Sequence, residues 1–167
     1  MKTIHKLTIS AFFLIGMITL QSCTTDDDSS SSNMNNDAQI MEAQSIANTG
    51  TWIITNFNDS GQNETGDFNG YTFDFGSDGV LTATNGTNTL TGTWSITDDS
   101  NSSSDDDSSD DDDDDIDFNI FFPVSDSSDF EDLNDDWDIV SVTENRIELR
   151  DVSGGNGGID ILVFERN

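Results

Sequence analysis

Carboxylates are the only abundant reactive groups in this 167-residue chain, with 34 acids against five bases, one His and one Cys. Catalysis by paired carboxylates needs two of them held in different environments. With acids this dense, two fall close together by chance, and spacing singles out no pair. Asp59-Ser60-Gly61 matches the aspartic-protease triplet, but it follows Asn-Phe-Asn rather than an apolar strand and has no second, facing copy. It reads as a turn. The run Gly154-Gly155-Asn156-Gly157-Gly158 suggests a phosphate cradle, yet it precedes a strand rather than a helix and has no Lys nearby. The helix dipole that such sites use is missing, and a hairpin loop is expected instead. Asp110 to Asp115 offer hard oxygens suited to Ca²⁺. An EF-hand loop needs Gly at its sixth position and an acid at its twelfth, and no loop here fits. A solvated, self-repelling insertion is expected, with weak divalent-cation binding at Asp110–Asp115 as the alternative. No catalytic residue, metal centre or cofactor is expected.

The one thiol is better placed for chemistry. Lys2, His5 and Lys6 precede an apolar run from Leu7 to Leu20, a basic then apolar leader too short to span a bilayer. Leu20-Gln21-Ser22-Cys23 resembles the bacterial lipobox. The resemblance implies cleavage before Cys23 and acylation of that residue. Several acyl chains, each CH₂ contributing about 0.8 kcal/mol, would hold a soluble domain on a membrane without a spanning helix. The other reading is an ordinary cleaved leader with an incidental Cys, at odds with a chain otherwise free of thiols.

Cleavage at that point leaves 145 residues. The two lysines leave with the leader, so only Arg146, Arg150 and Arg166 face the 34 acids, giving a formal charge of −31. So negative a surface repels phosphate backbones and anionic headgroups, which excludes nucleic acid and peripheral membrane binding. With no His left, Ser-His-Asp, Cys-His and His-zinc chemistry are excluded too.

The elements that follow are short. Residues 23–36 are polar and free of aromatics and read as an acidic, disordered tether. Asn36 or Asp37 could cap a helix over 37–49, with Ile40, Ala43 and Ala47 on one face and Gly50 closing it. The period then changes to two. Strands are expected at Trp52–Phe57, Tyr71–Phe75, Val80–Thr84, Leu90–Thr97, Asp117–Phe122, Trp137–Thr143, Arg146–Asp151 and Ile159–Glu165, with the disordered Asp-rich insertion 98–115 between the fourth and fifth. Ser128-Asp129-Phe130-Glu131 looks like a capping box opening one helical turn through Leu133. Eight short strands joined mostly by hairpin turns argue an all-β fold over 50–167, an eight-stranded up-and-down antiparallel barrel preceded by a short helix.

Gly50-Thr51-Trp52, Phe68–Phe75, Asp78–Gly86, Leu90–Trp94, Asp151–Gly155 and Phe164–Arg166 together resemble the small lipocalin-like lipoproteins of Bacteroidetes-type bacteria. The likeness implies a barrel whose first-strand Trp52, after Gly50, packs at the closed end beneath an arginine from the far end of the chain. Arg166 is the first candidate and Arg150 the second, with Trp94 a further structural residue of the barrel. The acids after Cys23 also resemble the surface-export signal of such lipoproteins, which implies an outer-membrane protein on the periplasmic or cell-surface side; a solvating spacer is the other reading. Tyr71, Phe73, Phe75, Phe118, Phe122 and Trp137 are the candidates to line a pocket for a small apolar or sugar-like ligand. The alternative is that they fill the barrel, leaving a structural or interaction module whose acidic loops contact cations, matrix or partner proteins.

Overall fold

The computed structural model describes residues 31–98, 116–153 and 158–167. The leader, Cys23, most of the tether and Asp110–Asp115 lie outside the described residues. The elements run α1 (Ser31–Ala47), β1 (Trp52–Asp59), β2 (Gln62–Asn63), the 3-10 turn η1 (Thr65–Phe68), β3 (Thr72–Phe75), β4 (Val80–Thr84), β5 (Thr89–Asp98), β6 (Ile116–Phe121), β7 (Asp135–Thr143), β8 (Arg146–Ser153) and β9 (Gly158–Arg166).

Eight of these strands close into an antiparallel barrel. From β3 to β9 each strand pairs with the next in sequence, and β1 lies between β9 and β3. β2 only extends β1 as a hairpin, through Asn58↔Asn63. The expected eight-stranded meander with a helix ahead of it is the observed fold. Its sequence logic is alternation: in β5, Gly92, Trp94 and Ile96 are buried while Thr93, Ser95 and Thr97 face water, and β6 turns Ile116, Phe118 and Ile120 inward. Closure removes the sheet edges that would otherwise recruit other chains. The closure is uneven. β1 and β9 pair from Trp52↔Arg166 to Asn58↔Ile161, whereas β1 and β3 meet through Trp52↔Phe73 alone. Beyond that pair the η1 segment occupies the edge of β1: Phe57 N donates to Thr65 Oγ1 at 2.8 Å and Phe57 O accepts from Glu64 N at 3.0 Å.

The strand directions define two poles. Trp52, Asp98, Ile116, the β7–β8 turn and Arg166 lie at one. There α1 packs on β5 and β7, with Ala43 and Ala47 buried and Gln44 Nε2 donating to Ile96 O at 3.4 Å. At the opposite pole η1, the β4–β5 turn and the segment between β6 and β7 converge, and Phe68, Phe130 and Leu133 seal the interior.

Three expectations about local structure change. The helix starts at Ser31 rather than near Asn36 or Asp37, so residues 31–36, expected as tether, are helical. Only Ile40, Ala43 and Ala47 carry an apolar period, and the Ser- and Asn-rich turns before them give no such signal. The helical turn expected after Ser128 is a series of tight turns instead. Glu131 N bonds to Ser128 O at 2.9 Å, and the Ser128 hydroxyl accepts from Phe130 N at 3.3 Å rather than from Glu131 N as a capping box requires. Asp98, expected to open the insertion, ends β5 opposite Ile116; the rest of the expected insertion, 99–115, lies outside the described residues.

Candidate functional site

Gly50, Trp52 and Arg166 come together where the barrel closes. Trp52 is fully buried and its indole N–H donates to Ala47 O, the last residue of α1, at 2.8 Å. The Arg166 guanidinium lies 4.5 Å over the Trp52 ring, a cation–π arrangement. Its Nη1 donates to Thr49 O and its Nε to Glu144 O. One side chain thus links the helix exit, the first strand and the β7–β8 turn. Gly50 takes a left-handed φ of +78°, and a Cβ there would stand 2.8 Å from Arg166 Nη1. Arg150, the second candidate for this role, instead pairs with Asp138 at 3.4 Å across β7–β8.

The other two tryptophans follow the same plan. Trp94 Nε1 donates to Gly76 O in the β3–β4 turn at 2.9 Å, and Trp137 Nε1 to Leu133 O at 3.2 Å. Each indole therefore fastens one non-strand segment to the barrel wall and satisfies its own buried donor.

The six candidate lining residues are brought together, each against other rings. Phe73 meets Phe164 edge-on at 5.3 Å, and Phe75 touches Trp94 and Phe118 at 5.2 and 5.3 Å. Trp94 and Phe118 stack at 5.6 Å. Towards the far pole Trp137 meets Phe57 at 6.4 Å, and Phe122 and Tyr71 close on Phe130 at 5.1 and 5.0 Å. Phe73, Phe75 and Phe118 have no solvent exposure, and Phe122 and Trp137 have 1% each. These are the offset geometries of a packed aromatic core. Phe57, Phe68, Phe130 and Phe164 complete the network, although none of them is among the expected lining residues. Their place in strand, turn and motif patterns carries no sign that their rings meet in the interior.

The described surface has three noteworthy features. A groove of about 280 Å³ runs between α1 and β7, lined by Ala43, Ile46, Ile116, Ile139 and Val142. At the start of β7, opposite the buried Ile120, Asp135 sits half-buried with its carboxyl pushed up to about 6, chiefly by burial and then by hydrogen bonding to and repulsion from its acidic neighbours. At the far pole a depression of about 530 Å³ is bordered by Asp67, Tyr71, Asn88, Ser128, Asp129 and Phe130. Nearby, burial raises the carboxyls of Glu64 and Asp132, with Asp59, Asp67 and Asp129 adding repulsion. No described helix is long and apolar enough to cross a membrane.

No protein-family model matches the chain, and no curated protein matches it. Among solved structures, the crystal structure of a DUF4847 family protein from Bacteroides vulgatus is similar, with a TM-score of 0.43 and 16% sequence identity over 74% of this chain and 96% of that one.

Proposed function

We propose that this protein is a non-enzymatic outer-membrane lipoprotein, anchored through acylated Cys23, whose solid lipocalin-like barrel works through its outer surface and acidic loops. The observation that carries the reading is the ring network: each residue best placed to line a ligand pocket packs against another ring, chiefly Phe57, Trp94, Phe130 and Phe164. A small apolar ligand in the barrel would have to part Phe73, Phe75, Phe118 and Trp137 and forfeit their packing, which dense interiors resist. The anchor rests on the lipobox-like Leu20-Gln21-Ser22-Cys23 and on the leader before it. The lipocalin likeness rests on Gly50, Trp52 and Arg166 acting as one unit.

Two measurements test it together. In cells, Cys23→Ala releases the chain from washed membranes or stalls its processing; a correctly cleaved variant that stays in the membrane fraction overturns the anchor. A native mass spectrum of the chain from Thr24 onward gives the mass of the polypeptide alone. A small molecule retained in stoichiometric amount through purification overturns the solid barrel and restores ligand capture.

A further inference from the structure

The three segments that seal the far pole also build an open surface. Asp67 and Tyr71 come from η1 and its exit, Asn88 from the β4–β5 turn, and Ser128, Asp129 and Phe130 from the segment between β6 and β7. Tyr71 is half-buried, with its ring set against Phe130 at 5.0 Å and 74°. Phe130 is 5% exposed and packs in turn on Phe68, Phe73 and Phe122. The aromatic wall of the depression is thus braced by the core, while Asp67, Asn88 and Asp129 stand exposed around it.

The chemistry of this lining is selective. Every base after Lys6 is an arginine, and all three are engaged elsewhere: Arg146 with Glu148 and Glu165, Arg150 with Asp138, and Arg166 with Thr49 and Glu144 at the opposite pole. Asp67 and Asp129 therefore face no cationic side chain here and present acceptor oxygens. Asn88 adds an amide with both donors and an acceptor, and Ser128 a hydroxyl. A braced ring beside carboxylates, an amide and a hydroxyl suits a ligand with an apolar C–H face and a rim of O–H donors. Phosphorylated and uronic-acid ligands are repelled. Among the described residues no three acids gather in metal-binding geometry, which argues against a cation as the occupant.

We propose that this depression is a binding site for neutral saccharides, with Tyr71 as the platform and Asp67, Asn88 and Asp129 as hydrogen-bonding partners. The site is independent of acylation at Cys23. It lies at the pole opposite α1.

The test is a titration of the ¹⁵N-labelled chain from Thr24 onward, which contains every described residue, with maltohexaose, cellohexaose and xylohexaose. Tetragalacturonate serves as the anionic control and tetralysine as the cationic one. The expected result is saturable shifts of the Tyr71, Asn88, Ser128 and Asp129 amides with at least one neutral hexasaccharide. Asp129→Asn and Asn88→Ala, both at exposed positions, should weaken binding, by about tenfold for the lost charge-assisted bond of Asp129 and by about threefold to tenfold for the neutral amide of Asn88, with unchanged melting temperature. The proposal is overturned by flat spectra with all three neutral sugars up to about 10 mM, ten times a millimolar Kd. It is equally overturned by shifts confined to other residues, by undiminished binding to the two variants, or by tetragalacturonate binding as well as the neutral sugars. Tetralysine shifting the same amides at lower concentration than any sugar would assign the surface to basic peptides instead.

Discussion

The guanidinium of Arg166 lies 4.5 Å over the ring of Trp52, although 114 positions separate the two residues in sequence. The pair joins the first strand of the barrel to the last, in register at Trp52↔Arg166. Trp52→Ala removes a fully buried indole and should cost about 3–5 kcal/mol, a large share of the roughly 5–15 kcal/mol that holds a domain together. Arg166→Ala loses the cation–π contact and two carbonyl bonds, about 1–3 kcal/mol in all. Arg166→Lys keeps the charge without the planar fork and should recover less than half of that. Denaturant midpoints of the three variants check the order; an unchanged midpoint for Trp52→Ala would remove the residue from any structural role.

Among the described glycines, Gly92 marks the tightest backbone approach. A Cβ at this position would lie 2.3 Å from Phe121 O and 2.9 Å from Phe122 Cδ1. Gly92→Ala must push β5 away from the end of β6 and should destabilise by about 1–3 kcal/mol, as overpacked cores do. Gly86→Ala offers the contrast, since nothing lies within 4 Å of a Cβ there and only its left-handed φ of +82° opposes the change. Thermal unfolding of the two should rank Gly92→Ala as the more damaging.

Asp135 gives the fold a defined pH response. Its carboxyl is raised from 3.8 to about 6 in the folded chain, chiefly by burial. A raised acid holds its proton in the folded state after the unfolded chain has lost it. The resulting loss of stability is absent below about pH 3.8, grows as pH rises, and is complete above about pH 6. Asp135→Asn should therefore stabilise the protein at pH 7.5 and not at pH 3.5. The side chain is partly exposed, so solvent screening limits the gain to about 1 kcal/mol. Urea midpoints at the two pH values decide: an equal change at both would assign the effect to packing rather than charge.

Between Asp98 and Ile116, which pair across β5 and β6, residues 99–115 carry ten aspartates and no apolar or basic residue. Neighbours in a chain are about 3.5 Å apart, well inside a Debye length of about 8 Å at physiological salt. Replacing 99–115 by Asn-Gly-Ser-Gly should keep the β-type circular dichroism and raise the melting temperature at low salt, with the gain shrinking as salt rises. Loop length itself contributes only logarithmically. Loss of folding in this variant would refute the insertion reading, and stabilisation of the parent chain alone by millimolar Ca²⁺ would identify an ordered cation site.

How much was legible depended on whether a residue's environment was local. The Tyr71–Phe75 alternation, the Gly76–Gly79 turn and the Thr91–Thr97 alternation carry period two in the residues themselves, and β3, β4 and β5 follow them. β2 is two exposed polar residues, Gln62 and Asn63, and exists only because β1 extends beneath it. The first turns of α1 are Ser and Asn, which advertise a coil, and the Ser128 segment shows capping chemistry that the packing of Phe130 and Leu133 turns into tight turns. The far-pole depression was illegible for the same reason. Asp67, Tyr71, Asn88 and Asp129 lie in three separate stretches, and nothing in any one of them points to the others.

The single bridge between β1 and β3 has a kinetic corollary. β1 is the first strand to leave the ribosome, and β9, its main partner, is the last of the nine. Until residues 158–166 have been delivered, β1 has only Trp52↔Phe73 and the η1 edge to hold it, and Trp52 lacks its covering guanidinium. Pairing across so long a span forms late because loop-closure entropy is lost before the contacts repay it. The barrel therefore stays open through most of the chain's synthesis and closes when its final strand comes free.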